Sequence, residues 1–140
     1  MSDYEPTIIA FVCNWCTYTA ADLAGTSRRT YPSNVRLIRM MCTGMVDPKY
    51  VIKALLEGAD AVLISGCHPG DCHYINGNFK ARRRVKLLKE ILPRFGFDER
   101  RLKLTWIGAS EGVDFAKTIS EMVDEVKALG PSQVREQMVL

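Results

Sequence analysis

The chain has 140 residues, of which 47% are hydrophobic and 25% charged, and its formal net charge is +3. This is the composition of a soluble globular protein with enough residues for a hydrophobic core, so it excludes intrinsic disorder, collagen and coiled coil for the whole chain. The longest apolar run, Ile8–Cys13, is far shorter than the ~18–20 residues that cross a bilayer, and no signal segment opens the chain, so we expect a cytoplasmic protein with no membrane partner.

Four segments are predicted to be strands, namely residues 7–13, 35–41, 60–66 and 102–106. The first and third are continuously apolar, which is typical of strands buried on both faces of a sheet. The second and fourth mix apolar with basic residues, so we expect them at the sheet edges.

Each strand is followed by a segment with helical periodicity. The predicted helices cover residues 19–24, 48–57, 78–92 and 111–129. Asp47 and Ser110 are predicted to cap the second and the last helix, because their side-chain oxygens can accept hydrogen bonds from the first helical N–H groups. Gly25, Gly58 and Gly130 mark helix ends.

This alternation predicts an α/β fold with a four-stranded parallel sheet, the flavodoxin-like strand order 2-1-3-4 and helices on both faces. In that order a crevice opens between the carboxyl ends of the first and third strands, where ligands bind in such folds. We expect one domain over residues 1–130. Residues 131–140 have no clear apolar stripe and are predicted to be a tail that can dock on a partner.

The cysteines carry the most informative pattern in the sequence. All of them lie at or shortly after the carboxyl end of one of three neighbouring strands, and they are Cys13, Cys16, Cys42, Cys67 and Cys72. An odd number of cysteines in a cytoplasmic chain argues against structural disulfides, and convergence at one sheet edge favours a metal or redox centre over buried thiols that only fill the core.

Thiolates bind zinc, Cu(I) and iron–sulfur clusters, and the spacing alone does not choose among these. A structural zinc ion usually stabilises a domain without a core, so redox use is favoured here. Two alternatives stay open at this point. One is a structural zinc module that bridges partners, and the other is a dithiol redox protein that uses Cys13 and Cys16.

Two histidines directly follow cysteines, in Cys67-His68 and Cys72-His73. They can act as ligands, as in Rieske centres, but with five cysteines available we expect them to donate hydrogen bonds near the site or titrate at its rim. Backbone N–H groups around Gly44, Gly66 and Gly70 are expected to donate hydrogen bonds to sulfur. Trp15 and Tyr74 are expected to shield the site from water.

Basic residues are concentrated between Lys80 and Lys103, where the sequence has ten Lys or Arg residues and three acidic residues. Arg82, Arg83 and Lys86 lie on the outer side of the predicted third helix. Such a face is either merely solvated or docks an acidic partner. Nucleic acid is disfavoured, because aromatic residues are not interleaved and the net charge is small.

Four runs of sequence resemble one known family, the delta subunit of methyl-viologen-reducing [NiFe]-hydrogenase, or MvhD family. They are Phe11-Val-Cys-Asn-Trp-Cys16, Ala20-Ala-Asp-Leu-Ala-Gly25, Arg39-Met-Met-Cys-Thr-Gly44 and Gly66-Cys-His-Pro-Gly-Asp-Cys-His-Tyr74. The last run is the most specific, and the similarity spans about residues 5–130.

The resemblance implies a small iron–sulfur protein with a [2Fe-2S] cluster held by four of the five cysteines. It further implies an electron-transfer subunit without a substrate pocket of its own, which relays electrons between a [NiFe]-hydrogenase and heterodisulfide reductase in methanogenesis. The implied partners are the hydrogenase subunits and the flavin or iron–sulfur subunit of heterodisulfide reductase.

Overall fold

The computed structural model describes residues 5–26, 34–68 and 77–132. Its strands are β1 (Ile8–Cys13), β2 (Val35–Met40), β3 (Ala61–Gly66) and β4 (Leu102–Trp106). Its α-helices are α1 (Thr17–Thr26), α2 (Pro48–Leu56), α3 (Gly77–Ile91) and α4 (Gly112–Leu129). Short 3-10 helices cover Thr43–Met45, Leu92–Phe95 and Glu99–Arg101.

The strands form one parallel sheet in the order β2-β1-β3-β4, which confirms the predicted topology. Every residue of the central strand β3 is buried, whereas residues of the edge strand β2 are half-buried or exposed. In the register, Cys13 is opposite Met40 of β2, and Val12 is opposite Ser65 of β3. The ends of β1, β2 and β3 are therefore nearly level, and the segments that follow them leave from one edge.

Helices cover both faces of the sheet, as predicted. On one face, Ala20 of α1 and Phe115 of α4 belong to the same buried cluster as Ala10 of β1. On the other face, Leu55 of α2 and Val85 of α3 share a cluster with Phe11, Val62 and Ile64. Because side chains alternate along a strand, β1 and β3 contribute apolar residues to both cores. No helix in the described ranges has the length and apolarity needed to cross a membrane.

Two predicted helix starts were wrong. Helix α1 begins at Thr17, two residues before the predicted start, directly after the turn that holds Cys16. Helix α4 is preceded by Glu111 rather than capped by Ser110, and no side chain caps it. The Glu111 carboxylate instead accepts a hydrogen bond from the N–H of Gly108 at 2.7 Å, so the turn before α4 is closed by a residue that no capping pattern indicated.

The amino edge of the sheet is fixed by two buried polar side chains. The Asp60 carboxylate accepts hydrogen bonds from the backbone N–H of Thr7 at 2.8 Å and of Ser132 at 3.1 Å. Arg101 donates to the carbonyl oxygens of Asp60 at 2.9 Å and Gly130 at 2.8 Å. These bonds join the segments around β1, β3, β4 and the end of α4. Most of the predicted tail, residues 133–140, lies outside the described residues, so its docking role stays a prediction.

Candidate metal centre

The carboxyl edge of the sheet brings three of the predicted cysteines together. The Sγ atom of Cys67, directly after β3, lies 3.7 Å from Sγ of Cys13 at the end of β1. It lies 2.7 Å from Sγ of Cys16, in the turn after β1. These separations exceed the ~2.05 Å of a disulfide bond. Two sulfurs bound at ~2.3 Å to one tetrahedral ion lie about 3.8 Å apart, close to the Cys13–Cys67 separation but well above the Cys16–Cys67 separation.

Cys42 lies on the neighbouring segment of the same edge. It directly precedes the 3-10 helix Thr43–Met45, and its buried sulfur accepts a hydrogen bond from the N–H of Gly44 at 3.4 Å. Sγ of Cys13 is 3.9 Å from the carbonyl oxygen of Met41, the residue before Cys42. The Gly44 contact confirms that a backbone N–H beside a glycine donates to sulfur here.

Glycine permits the close approach of the segments that carry Cys42 and Cys67. A Cβ atom on Gly66 would lie 2.6 Å from Cγ2 of Thr43, and one on Gly44 would lie 2.9 Å from Cα of Gly77. Both distances are well below the ~3.5–4.0 Å at which carbon atoms pack. A larger residue at Gly66 would push apart the segments that carry Cys42 and Cys67, and one at Gly44 would push the Thr43–Met45 segment away from Gly77 at the start of α3.

Helix α3 is attached to both segments by buried or half-buried polar side chains. Nδ2 of Asn78 donates to the carbonyl oxygens of Cys67 at 3.2 Å and His68 at 3.1 Å. Two turns later along the helix, Nη1 of Arg84 donates to the carbonyl oxygens of Gly44 and Val46. Helix α3 therefore positions the backbone next to Cys67 through Asn78 at its start, and the backbone that follows Cys42 through Arg84 at its middle.

A buried group of hydroxyls lies behind the sulfurs. Oγ1 of Thr17, the residue after Cys16, is 3.1 Å from Oγ of Ser65, two residues before Cys67. Thr105 of β4 donates to the same Ser65 oxygen at 3.0 Å. Since Thr17 and Ser65 are fully buried, their bond holds the start of α1 against the end of β3.

Burial raises the pKa of the Cys13 thiol, and the Cys67 sulfur beside it adds to this effect. Backbone hydrogen bonds from Trp15 and Cys16 act in the opposite direction but are outweighed. Reactive thiols of dithiol oxidoreductases have lowered pKa values instead. A metal ion removes the proton of a ligating thiol, so the raised pKa is compatible with a ligand and opposes a nucleophilic role.

His68 lies at the rim of the site and not among the sulfurs. Its Nε2 atom forms a very short contact with a carboxylate oxygen of Glu111, and its side chain is 42% exposed. The hydrogen bond with His68 lowers the pKa of Glu111, and the N–H of Gly108 adds to this effect. This placement agrees with the hydrogen-bonding role expected of His68. The Trp15 side chain is 41% exposed, so it borders the site without closing it.

The chemistry of the donor set fits a metal that prefers thiolates, because Cys13, Cys16 and Cys67 each bring a sulfur atom to the same edge of the sheet. Within residues 5–26, 34–68 and 77–132, no three potential ligands surround one point in the way that a bound ion requires. Cys72 and His73, together with Gly70 and Tyr74, lie outside the described residues. The fifth predicted cysteine is therefore not located relative to the other four.

Comparison with known proteins places the chain in a family. Residues 8–130 match the family described as methyl-viologen-reducing hydrogenase, delta subunit. The chain belongs to this delta-subunit family. The resemblance drawn from the cysteine runs is thereby confirmed.

Two hydrogenase relatives are similar to this chain over almost their whole length. The F420-non-reducing hydrogenase vhc iron-sulfur subunit of Methanococcus voltae is 48% identical over 134 residues, which cover 96% of this chain and 93% of the relative. The F420-non-reducing hydrogenase iron-sulfur subunit of Archaeoglobus profundus is 47% identical over 129 residues, with 92% and 94% covered.

A third relative contains a similar domain within a longer chain. This relative is one polypeptide of the ferredoxin/F(420)H(2)-dependent CoB-CoM heterodisulfide reductase of Methanosarcina acetivorans, and it is 51% identical over 126 residues. The match covers 90% of this chain but 16% of the relative. A domain of the delta-subunit family is thus part of a heterodisulfide reductase polypeptide in that protein.

Sequence reasoning missed the residues that support the cysteines. Helical periodicity does not indicate that the side chains of Asn78 and Arg84 bond to the sulfur-bearing segments, because the residues that accept these bonds are distant in the chain. Glu111 was missed because the neighbouring Ser110 has the side chain of a typical helix cap. The hydroxyls of Thr17 and Ser65 follow or precede cysteines by one or two residues, and that proximity was the only available indication.

Proposed function

We propose that this delta-subunit protein is an electron-transfer subunit that holds a [2Fe-2S] cluster. Four of five cysteines would hold the cluster, drawn from Cys13, Cys16, Cys42, Cys67 and Cys72. In this role the chain relays electrons between a [NiFe]-hydrogenase and heterodisulfide reductase and has no catalytic site of its own. When bound, such a cluster accepts and returns one electron at a potential set by hydrogen bonds to sulfur and by solvent exposure.

The contact of the Cys67 sulfur with those of both Cys13 and Cys16 is the observation that carries the proposal. The Cys67 sulfur thus lies within 3.7 Å of two further thiols, and thiolates are the ligands that soft metal centres prefer. The names of the two hydrogenase relatives include "iron-sulfur", which supports the same class of cofactor. The similar domain within the Methanosarcina heterodisulfide reductase supports that reductase as a partner.

The protein's own groups would tune and protect the centre. The N–H of Gly44 donates to the Cys42 sulfur, and such bonds stabilise negative charge on sulfur. Cys13, Cys42 and Cys67 are at most 5% exposed, which keeps water from the sulfurs. Trp15, Met41 and Met45 are 41–55% exposed in segments that also carry cysteines, and exposed apolar side chains favour contact with another protein.

A dithiol enzyme based on Cys13 and Cys16 is less well supported. The short sulfur contacts join each of these residues to Cys67, and burial raises the pKa of Cys13. A structural zinc module uses the same donor atoms, so chemical analysis has to separate it from a cluster.

The test is metal and sulfide analysis of the full chain purified without oxygen, together with visible and EPR spectra before and after reduction. We expect two irons and two acid-labile sulfides per chain and an EPR signal from the reduced cluster. One zinc without sulfide, or a chain without metal, would contradict the proposal. Four irons and four sulfides would keep electron transfer but replace the cluster type.

Serine substitution of each cysteine then identifies the ligands. We expect Cys67→Ser to cause the largest loss of iron, because its sulfur contacts those of both Cys13 and Cys16. The one substitution that leaves iron, sulfide and EPR signal unchanged identifies the cysteine that does not bind, and that variant serves as the matched control. If Cys67→Ser retained full iron content, the contacts of the Cys67 sulfur with those of Cys13 and Cys16 would not mark a metal site, and the proposal would be contradicted.

A further inference from the structure

One face of α3 combines an aromatic ring with three cationic side chains. Phe79, Arg82, Arg83 and Lys86 follow at i, i+3, i+4 and i+7, so they share one side of the helix. These four residues line an open groove of about 480 Å³, here called the α3 groove. The opposite side of the helix, with Ala81, Val85 and Leu88, is buried in the core.

No described carboxylate neutralises the α3 groove. Among residues of known placement, no carboxylate forms an ion pair with Arg82, Arg83 or Lys86. The Phe79 side chain is 43% exposed, and no aromatic ring or cation of the described chain stacks on it. An exposed ring beside three positive charges is complementary to a ligand that has both apolar and anionic parts.

The α3 groove is also close to the sulfur site along the backbone. Asn78, the residue before Phe79, is buried and donates to the carbonyl oxygens of Cys67 and His68. Its Oδ1 atom accepts a hydrogen bond from the N–H of Phe79 at 2.9 Å. A partner that binds the first turns of α3 would therefore sit beside the segment that carries Cys67.

We infer that the α3 groove is a docking site for an acidic segment of a partner protein that carries an apolar or aromatic side chain. Carboxylates of the segment would pair with Arg82, Arg83 and Lys86, and its apolar side chain would cover Phe79. The inference deepens the proposed function and rests on it for the identity of the partner as a redox subunit. Binding of such a segment does not itself require a cluster.

A protein segment fits the groove better than nucleic acid. Among the described residues that line the groove, Phe79 is the one aromatic residue, and a single ring would stack a single base. The full chain has a net charge of only +3, too little to hold an extended polyanion along its surface. Charge and apolar area meet at one point instead, as in the core and rim of a protein interface.

The experiment measures binding of a fluorescent acidic peptide with one central phenylalanine to the full, anaerobically purified chain. A second peptide has alanine in place of that phenylalanine. We expect the first peptide to bind roughly fivefold more tightly, and Phe79→Ala to remove this difference, because apolar contact with the ring provides it. Reversing charge with Arg82→Glu and Lys86→Glu should weaken both peptides about tenfold or more. Iron and sulfide are measured on every variant.

Lys80→Glu is the matched control, because Lys80 is an exposed cation of the same helix that does not line the groove. We expect it to change affinity less than about threefold by screened long-range attraction. Equal binding of both peptides, an equal effect of Lys80→Glu, or tighter binding of an oligonucleotide of the same charge would overturn the inference. If neither peptide bound, the α3 groove would be a solvated surface without a docking role, and this result too would overturn the inference. Because iron content is followed separately, none of these results would be confused with loss of the cluster.

Discussion

Single polar side chains in this protein act mainly by fixing the backbone beside them. Asp98 is a half-buried example near the surface. Its carboxylate accepts a hydrogen bond from the N–H of Arg100 and pairs with the guanidinium of the same residue, which closes the 3-10 turn before β4. These contacts with Arg100 lower the pKa of Asp98 to about 2. The folded protein therefore favours the charged carboxylate more than the unfolded chain does.

We predict that Asp98→Asn lowers the free energy of unfolding by about 0.5–1 kcal/mol at pH 7, the usual range for a surface pair that solvent screens. A lowered folded pKa gives stability that is present above the unfolded value of about 4 and is lost as pH falls toward 2. The difference between variant and wild type should thus shrink between pH 4 and pH 2. Urea unfolding across this range measures it, and a constant difference would assign the effect to the turn alone.

At the scale of secondary-structure elements, close packing of glycines decides how the sulfur-bearing segments meet. The 3-10 helix Thr43–Met45 lies against the start of α3, where Gly44 faces Gly77. Arg84 of α3 then bonds to the carbonyl oxygen of Gly44. The position of Cys42 depends on this contact between two short backbone stretches.

We predict that Gly44→Ala destabilises the protein by about 1–3 kcal/mol, the usual cost of forcing extra atoms into a packed contact. Its Cβ would meet the Gly77 backbone, which cannot rotate away. The variant should also bind less iron, because the segment that follows Cys42 moves. Thermal unfolding and iron analysis provide the two measurements.

Gly25→Ala is the control for this substitution. Gly25 lies within α1, and its added Cβ would contact nothing within 4 Å. Alanine has the higher helix propensity, so this variant should gain up to about 0.5–1 kcal/mol and keep its full iron content. If Gly44→Ala and Gly25→Ala had equal stability and equal iron content, the close contact between Gly44 and Gly77 would contribute to neither.

In the whole molecule, the candidate metal centre and the buried polar contacts that join neighbouring segments lie at opposite edges of the sheet. The sulfurs lie at the carboxyl ends of the strands, whereas Asp60 and Arg101 join four segments at the amino ends. Between the two edges lies the apolar sheet with its two cores.

We predict that Asp60→Ala lowers the free energy of unfolding by roughly 2–4 kcal/mol, because the N–H groups of Thr7 and Ser132 lose their buried acceptor. Asp60→Asn keeps an acceptor oxygen and should cost about half as much. The folded fraction of both variants should retain normal iron content and an unchanged EPR spectrum. Loss of iron from a folded Asp60 variant would mean that the two edges are coupled.

The strand order and both layers of helices could be predicted because hydrophobic periodicity is local and the rules for parallel connections leave few topologies. The same rules placed Cys13, Cys42 and Cys67 at one edge. What the amino-acid sequence determined by itself was therefore the sheet, its edges and the convergence of cysteines. Only the tertiary structure decided that Cys67 contacts Cys16 more closely than Cys13, and that Asn78, Arg84 and Glu111 support the site. Such contacts depend on side-chain directions and on sub-ångström packing between distant segments, which no local pattern of residues encodes.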